Sequence, residues 1–295
     1  MSYVAAEIAT QPENWRTAAE LARASDVAGA LPSNGERVAV VGCGTSHYMA
    51  RSCAVLREAR GLGETDAFAA SQFPAGRSYD RVVAITRSGT TTEVIRLLEA
   101  LAGRIPTTVV TTSDSHPVAS IADHVILLDF ADEESVVQTR FATSMLALWR
   151  AHLGEDVGPV ADEAALELSR ELPAGAVSAQ QFTFLGDSWT VGLAEEAALK
   201  LREAAQAWTE AYPAMEFRHG PISVIDEESV VWFFGPPPAG LLDELAPSGA
   251  VVVQSDAEPM ALLTTAQRLA VAVAERKGLD PDNPRSLTRS IVLSG

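Results

Sequence analysis

Short apolar runs rich in Val, Ile and Leu alternate along this chain with longer stretches in which apolar residues recur at helical spacing. Arg37–Gly42 (RVAVVG), Arg81–Ile85 (RVVAI), Thr107–Thr112 (TTVVTT) and His124–Phe130 (HVILLDF) are rich in Val, Ile, Leu and Thr, as buried strands are. Asp66–Ser71 is a weaker strand candidate. Between these runs, Ser46–Arg60, Thr92–Ala102 and Val136 to about His152 have the period of helices. Ahead of them, Ala5–Ala24 predicts a helix interrupted at Pro12, with Ile8, Trp15, Ala19 and Leu21 at helical spacing. The second half repeats the order: strand Phe182–Leu185, helix Leu193–Trp208, strands Val230–Phe234 and Ala250–Gln254, helix Leu262–Lys277, and a last strand at Ile291–Leu293.

Strands that alternate with helices predict βαβ units. The expected fold class is therefore α/β, with mostly parallel sheets flanked by helices on both faces. A length of 295 residues suits two domains at ~150 residues each. The polar, Gly- and Pro-marked stretch Gly154–Ala164 is read as the boundary, giving domains 1–155 and 156–295.

Charge narrows the partners. There are 22 basic and 39 acidic residues, a net charge of −17, and a nucleic-acid partner would need a basic face instead. An anionic small molecule stays open, because helix N-termini and backbone N–H groups hold phosphate whatever the net charge. No apolar run approaches the ~20 residues of a membrane span. Cys43 and Cys53 are the two cysteines and form no C-x-x-C motif, and Met1–Thr10 lacks a basic-then-apolar leader. The expectation is a cytoplasmic protein. The five histidines show no paired ligand spacing, so neither a metal nor a cofactor is expected.

Two strand-to-helix turns carry candidate chemistry. Gly42-Cys43-Gly44-Thr45-Ser46 offers glycines that let backbone approach a ligand, two hydroxyls and a helix N-terminus. Thr86-Arg87-Ser88-Gly89-Thr90-Thr91 gathers hydroxyls around one glycine, with Glu93 placed like a capping partner. Either turn alone is also what an ordinary capped helix start looks like. Two of them after neighbouring parallel strands, at the carboxyl ends where open α/β sheets bind ligands, form a phosphate cradle. Neither has the spacing of an ATPase or dinucleotide loop.

Further on, Glu196, Lys200 and Glu203 fall at i, i+4 and i+7 on one helix face, and Glu216-Phe217-Arg218-His219-Gly220-Pro221 puts a histidine in a rigid, exposed turn. The three charges alone read as a solvated, salt-bridged face. With the two turns, the Glu7-Ile8-Ala9-Thr10-Gln11-Pro12 lead-in, Glu134–Arg140 and the tail Asp282–Leu287, they make the chain resemble the sugar isomerase (SIS) superfamily. The likeness is to the isomerase half of glucosamine-6-phosphate synthases, and it covers nearly the whole chain.

The resemblance implies two SIS subdomains of flavodoxin-like, three-layer type. It implies that Gly44, Thr45, Ser46, Thr86, Ser88, Gly89 and Thr91 hold the phosphate and sugar. It makes Glu203 the carboxylate that moves a proton between C1 and C2, Lys200 a cation beside the substrate, and His219 the ring-opening histidine supplied by the partner of a homodimer.

Three positions depart from the synthase: Arg87 stands for Gln, Gln138 for Ser and Arg289 for Lys. Each is still expected at the ligand, and the two arginines read either as contacts to an extra anionic or carbonyl group or as rim residues. Ser2 stands where the synthase's glutaminase half has its nucleophilic cysteine, so glutamine-dependent synthesis is not expected. The expected activity is isomerisation or deamination of a sugar or amino-sugar 6-phosphate. The alternatives are a deglycase of 6-phosphofructosamines and a non-catalytic sugar-phosphate sensor.

Overall fold

The computed structural model describes residues 2–293. Two all-parallel sheets organise it. The first contains β1 (Val38–Gly42), β2 (Thr65–Ala69), β3 (Arg81–Ile85), β4 (Thr107–Thr111) and β5 (His124–Leu127) in the order β2-β1-β3-β4-β5. The second contains β6 (Gln181–Gly186), β7 (Trp208–Pro213), β8 (Ser229–Phe234) and β9 (Val251–Val253) in the order β7-β6-β8-β9. Three helices precede the sheets: α1 (Tyr3–Ala9), α2 (Gln11–Leu21) and α3 (Ser25–Ala30). The crossovers are α4 (Thr45–Ala59), α5 (Thr92–Leu101), α6 (Arg140–His152), α7 (Gly158–Glu167), α8 (Thr190–Ala205), α9 (Leu241–Leu245) and α10 (Pro259–Arg276). The α/β class read from the pattern holds, and every strand pairing is parallel.

Several boundaries move, each for a local reason. The first predicted helix is two, broken at Thr10, with Pro12 in the opening turn of α2, where its missing N–H costs nothing. The helix expected from Val136 begins at Arg140, because the buried carboxylate of Glu133 takes the N–H groups of Thr139 (2.5 Å) and Arg140 (2.8 Å) and caps it there. Helix α8 stops at Ala205, where Gln206 turns left-handed (φ 48°), and Trp208–Pro213 forms edge strand β7. That strand carries no apolar run, and its Trp208 is 72% exposed, so nothing in the pattern announces it. Ile291–Leu293 is not a strand. The stretch read as a boundary carries α7, with Val160, Ala161 and Ala164 buried.

One core cluster spans both sheets, with Trp15, Phe141, Trp149, Phe184, Leu201, Trp232 and Leu263 all fully buried in it. Helices α4 and α8 cross antiparallel inside this cluster. A Cβ on Gly192 would lie 2.3 Å from Ser52 Oγ and 2.5 Å from the Tyr48 carbonyl oxygen, so the crossing depends on glycine there. That close approach sets the other end of α8 against the first turn of α4.

Candidate active site

The chain leaves β1 for one edge of the first sheet, toward β2, and leaves β3 for the other, toward β4. The turns after β1 and β3 therefore diverge and open a crevice at their carboxyl ends. Val41 pairs with Ala84, so Gly42–Ser46 and Thr86–Thr91 lie side by side. Gly44 (φ 54°) and Gly89 (φ 58°) both hold the left-handed backbone these turns need. A Cβ on Gly89 would also strike the side chain of His116 at 2.3 Å. Within the second turn the Gly89 N–H donates to Thr86 Oγ1 (3.2 Å), and the Ser88 and Thr91 hydroxyls lie 3.4 Å apart.

Two cavities occupy the crevice. The smaller, roughly 30 Å³, is lined by Ser46, Thr86, Ser88, Thr91 and Gln138 among others. The larger, roughly 180 Å³, is lined by Gly44, Thr45, Thr91, Glu93, Gln138 and Glu203 and by tail residues Leu287–Ile291. Arg87, Arg289 and Cys43 border both. Burial pushes the Cys43 thiol up to about 11, which keeps it protonated and unreactive at neutral pH.

Helix α8 crosses from the second half to bring charge here. Lys200 Nζ, fully buried, donates to Thr45 Oγ1 at 2.9 Å and to Glu203 Oε2 at 2.5 Å, and lies 3.7 Å from Glu196 Oε1. Glu196 is completely buried and neither of its carboxylate oxygens has a hydrogen-bond partner. Burial raises its pKa to about 8 despite the nearby Lys200 charge. Burial opposes the charge on Lys200, but Glu196 and Glu203 outweigh it and hold the ammonium above its ordinary pKa. Glu203 is the more accessible of the two carboxylates, with a side chain 20% exposed.

The arginines are largely engaged. Arg87 is buried and pairs with the equally buried Glu133 at 3.0 Å. It also donates to the carbonyls of Ser135 (3.0 Å), Val136 (3.1 Å) and Arg289 (3.4 Å). Only its Nε–H lacks a partner, and Gln138 Oε1 beside the same cavities lacks one too. Arg289 donates to the Glu133 carbonyl and the Asp132 carboxylate. Two further contacts fasten the tail over the start of α5: the Thr90 hydroxyl to Ser290 Oγ (2.9 Å), and the Thr92 N–H to the Ile291 carbonyl (3.0 Å).

His219 is not in this crevice. It is exposed in the turn after β7 and lines neither cavity. Gln181 pairs with Trp208 and Gly186 with Pro213, so β7 climbs from the Ala205 end of α8 back to its Thr190 end. Glu203 and His219 thus sit at opposite ends of that unit, about 20 Å apart along the helix axis.

Sequence reasoning placed Glu196 on the right face and Glu7 in the lead-in motif without assigning either a role, and missed Glu133. Glu7 is buried and accepts from the N–H groups of Glu134 (2.6 Å) and Ser135 (3.2 Å), so the lead-in motif holds the Gln138 loop in place. Asp282 in the tail motif accepts from the first N–H groups of α1, at Tyr3 (2.7 Å) and Val4 (2.8 Å).

A cavity of roughly 680 Å³ lies at the carboxyl ends of β8 and β9, between Gly235 and Pro259. It has no hydroxyl-rich turn, and its half-buried carboxylate, Glu258, is taken up by Arg150 (2.6 Å) and the first N–H groups of α10. Among the described residues, no group of three or more His, Cys, Asp or Glu is placed to hold a metal ion.

No family model matches the chain. It is 27% identical over 305 residues to the isomerizing glutamine–fructose-6-phosphate aminotransferase of Methanothermobacter thermautotrophicus, covering 88% of this chain and 52% of that protein. The same enzyme of Thermus thermophilus is 28% identical over 319 residues, covering 89% and 53%. The chain thus spans about half the length of these relatives. Among solved structures, glucosamine-6-phosphate deaminase of Thermotoga maritima superposes with a TM-score of 0.77 at 22% identity, covering 98% of this chain and 100% of that one. Tagatose-6-phosphate ketose/aldose isomerase of Escherichia coli gives 0.77 at 18%, covering 99% and 97%. The likeness establishes the fold, and the superfamily resemblance read from the motifs holds in sequence and in structure.

Proposed function

We propose that this chain, which shares its fold with phosphosugar isomerases and deaminases, is itself an enzyme of that kind. It acts on a sugar or amino-sugar 6-phosphate through proton transfer between C1 and C2. The phosphate occupies the smaller cavity, held by Ser46, Thr86, Ser88 and Thr91, with the Arg87 Nε–H and the Gln138 amide as further donors. A side-chain amide can turn its nitrogen toward an anion, so Gln138 suits that role. The sugar extends into the larger cavity toward Glu203.

Glu203 takes the C2 proton of the open-chain aldose as the C1 carbonyl becomes an enediolate oxygen. The O2 hydroxyl proton moves to O1, the same carboxylate returns its proton to C1 and C2 becomes the carbonyl, so atoms and electrons balance. Lys200 donates to Glu203 and faces the developing negative charge. Where C2 bears an amine, the same transfer produces an imine that water hydrolyses, releasing ammonia. His219 opens the ring from a second copy of the chain in a homodimer, since within one copy it is a helix length from Glu203. A cytoplasmic site of action goes with this metabolic role.

The observation that carries the reading is the Lys200 bridge between Thr45 of the cradle and Glu203. A sugar-phosphate sensor would need the cradle but not that bridge. The test is hydrogen exchange in deuterated water with fructose 6-phosphate and glucosamine 6-phosphate. The unaltered chain exchanges the C1 or C2 proton, and Glu203→Gln binds the ligand but loses exchange by 100-fold or more. Binding without exchange in the unaltered chain would establish the sensor instead.

A further inference from the structure

The second hydroxyl turn is held from behind. The Arg87 carbonyl accepts from the Thr112 hydroxyl (3.0 Å) and the Thr111 hydroxyl (3.3 Å), and the Val118 N–H donates to the Gly89 carbonyl (3.4 Å). All three donors belong to the end of β4 or the stretch that follows it. His116 sits among them. A Cβ on Gly89 would lie 2.3 Å from His116 Cβ and 2.7 Å from its Nδ1, so the imidazole rests against the turn's one glycine. Its Nδ1 is also 2.9 Å from Thr111 Oγ1.

Thr111 has a single hydroxyl hydrogen and two acceptors within reach when Nδ1 is bare. The closer ring nitrogen then takes it, and the Arg87 carbonyl keeps only Thr112. A protonated imidazole can only donate. It gives its Nδ1–H to Thr111, and the hydroxyl hydrogen turns to the Arg87 carbonyl. Hydrogen bonds in such a chain polarise one another. The peptide unit polarised here ends in the Ser88 N–H, which has no partner among the described residues.

Charge acts in the same direction. Ser88 and Thr91, on either side of Gly89, line the smaller cavity, and His116 lines neither cavity. The backbone of the turn therefore separates the imidazole from an anion held there. Burial holds the His116 pKa below its ordinary 6.5, with Asp132 working against that and Arg289 with it. Asp132 and Arg289 are paired with each other, Arg87 is committed to Glu133, and Asp114 in the histidine's own loop is exposed. A phosphate dianion adds negative charge that none of these pairs cancels, and it favours the imidazolium.

We propose that His116 is a positioning residue for phosphate: it braces Gly89 from behind the turn and takes up a proton as the phosphate enters. Where the phosphate sits is taken from the phosphosugar reading above. By linkage, phosphosugar affinity rises as pH falls, from the titration of His116 in the complex down to its titration in the free chain.

Two measurements test this. Histidine-selective carbon-13 NMR follows the His116 ring with pH, its signal being the one absent from His116→Asn or, if that chain does not fold, from His116→Gln. The ring titrates below its ordinary 6.5 in the free chain, and saturating fructose 6-phosphate raises its pKa by about half a unit or more. Isothermal titration then compares chains. Asn sets an amide nitrogen near the place of Nδ1, so it donates to Thr111 without titrating. The affinity of the unaltered chain for fructose 6-phosphate, divided by that of His116→Asn, grows about threefold or more from about pH 8 to about pH 5.5. The ester's own loss of charge near about pH 6 cancels in that ratio. His116→Ala binds roughly fivefold more weakly than His116→Asn throughout. A ring unmoved by the ligand, or a ratio flat with pH, overturns the coupling and leaves the phosphosugar reading standing. Equal binding by the Ala and Asn chains overturns the bracing role. An unaltered chain that binds no fructose 6-phosphate at any pH overturns both readings.

Discussion

Lys200 Nζ lies 2.9 Å from Thr45 Oγ1, so a charge from the eighth helix is delivered to the first residue of the fourth. The same ammonium serves Glu203 on one side and faces the unpartnered Glu196 on the other. Removing it takes the cation away from Glu203, and from Glu196 once that carboxylate ionises above about pH 8. Lys200→Met is expected to destabilise the chain by roughly 3 kcal/mol or more. At pH 9, where Glu196 would ionise without its cation, adding Glu196→Gln should recover part of that loss. Urea unfolding of the unaltered chain and the two variants at pH 9 checks this, and a double variant no more stable than Lys200→Met would refute it.

Glu196 makes stability depend on pH in a stated direction. Its folded pKa, about 8, lies above the ordinary 4.5, so the native state binds a proton that the unfolded chain releases. The stabilisation from protonated Glu196 is complete below pH 4.5 and is lost as pH rises through 8. Its size is at most roughly 5 kcal/mol. The unaltered chain should therefore lose stability relative to Glu196→Gln between pH 5 and pH 9, read as the change in urea midpoint. A constant difference across that range would contradict the raised pKa.

Gly192 is expected to be a remote determinant of the same geometry. A methyl group there meets Ser52 Oγ and the Tyr48 carbonyl well inside contact distance, and backbone cannot give way cheaply. Gly192→Ala should cost about 1–3 kcal/mol in stability by overpacking. It should also reduce proton exchange more than phosphosugar binding, because it shifts Lys200 and Glu203 while leaving Ser88 and Thr91 in place. Equal losses in both would mean the crossing does not position the charges.

The separation of His219 from Glu203 leads to a complementation experiment. If ring opening uses the partner's histidine, mixing inactive Glu203→Gln and His219→Asn chains assembles heterodimers with one intact site each. Random reassortment of twofold dimers would restore about a quarter of full activity on a ring-closed substrate. No restoration, with mixed dimers verified by mass, would place ring opening within one chain or outside it.

Local chemistry was legible in the residues themselves. The buried parallel strands, the two hydroxyl turns and the shared helix face of Glu196, Lys200 and Glu203 depend on periodicity and on residue type, both properties of neighbours in the chain. What neighbours cannot reveal is where a charge is spent. Arg87 read as a contact to ligand or a rim residue, yet it lies buried against Glu133, 46 residues away. The start of α6 was displaced by that same carboxylate. Edge strand β7 carried no pattern because none of its six residues is buried. By itself the sequence determined the fold class and the list of chemically able groups, since apolar burial and turn chemistry act over a few residues. Only the tertiary structure decided which groups meet. Lys200 reaches Thr45 through the packing of Gly192 against α4, and His219 is held away by the climb of β7, which are long-range consequences of how two sheets share one core.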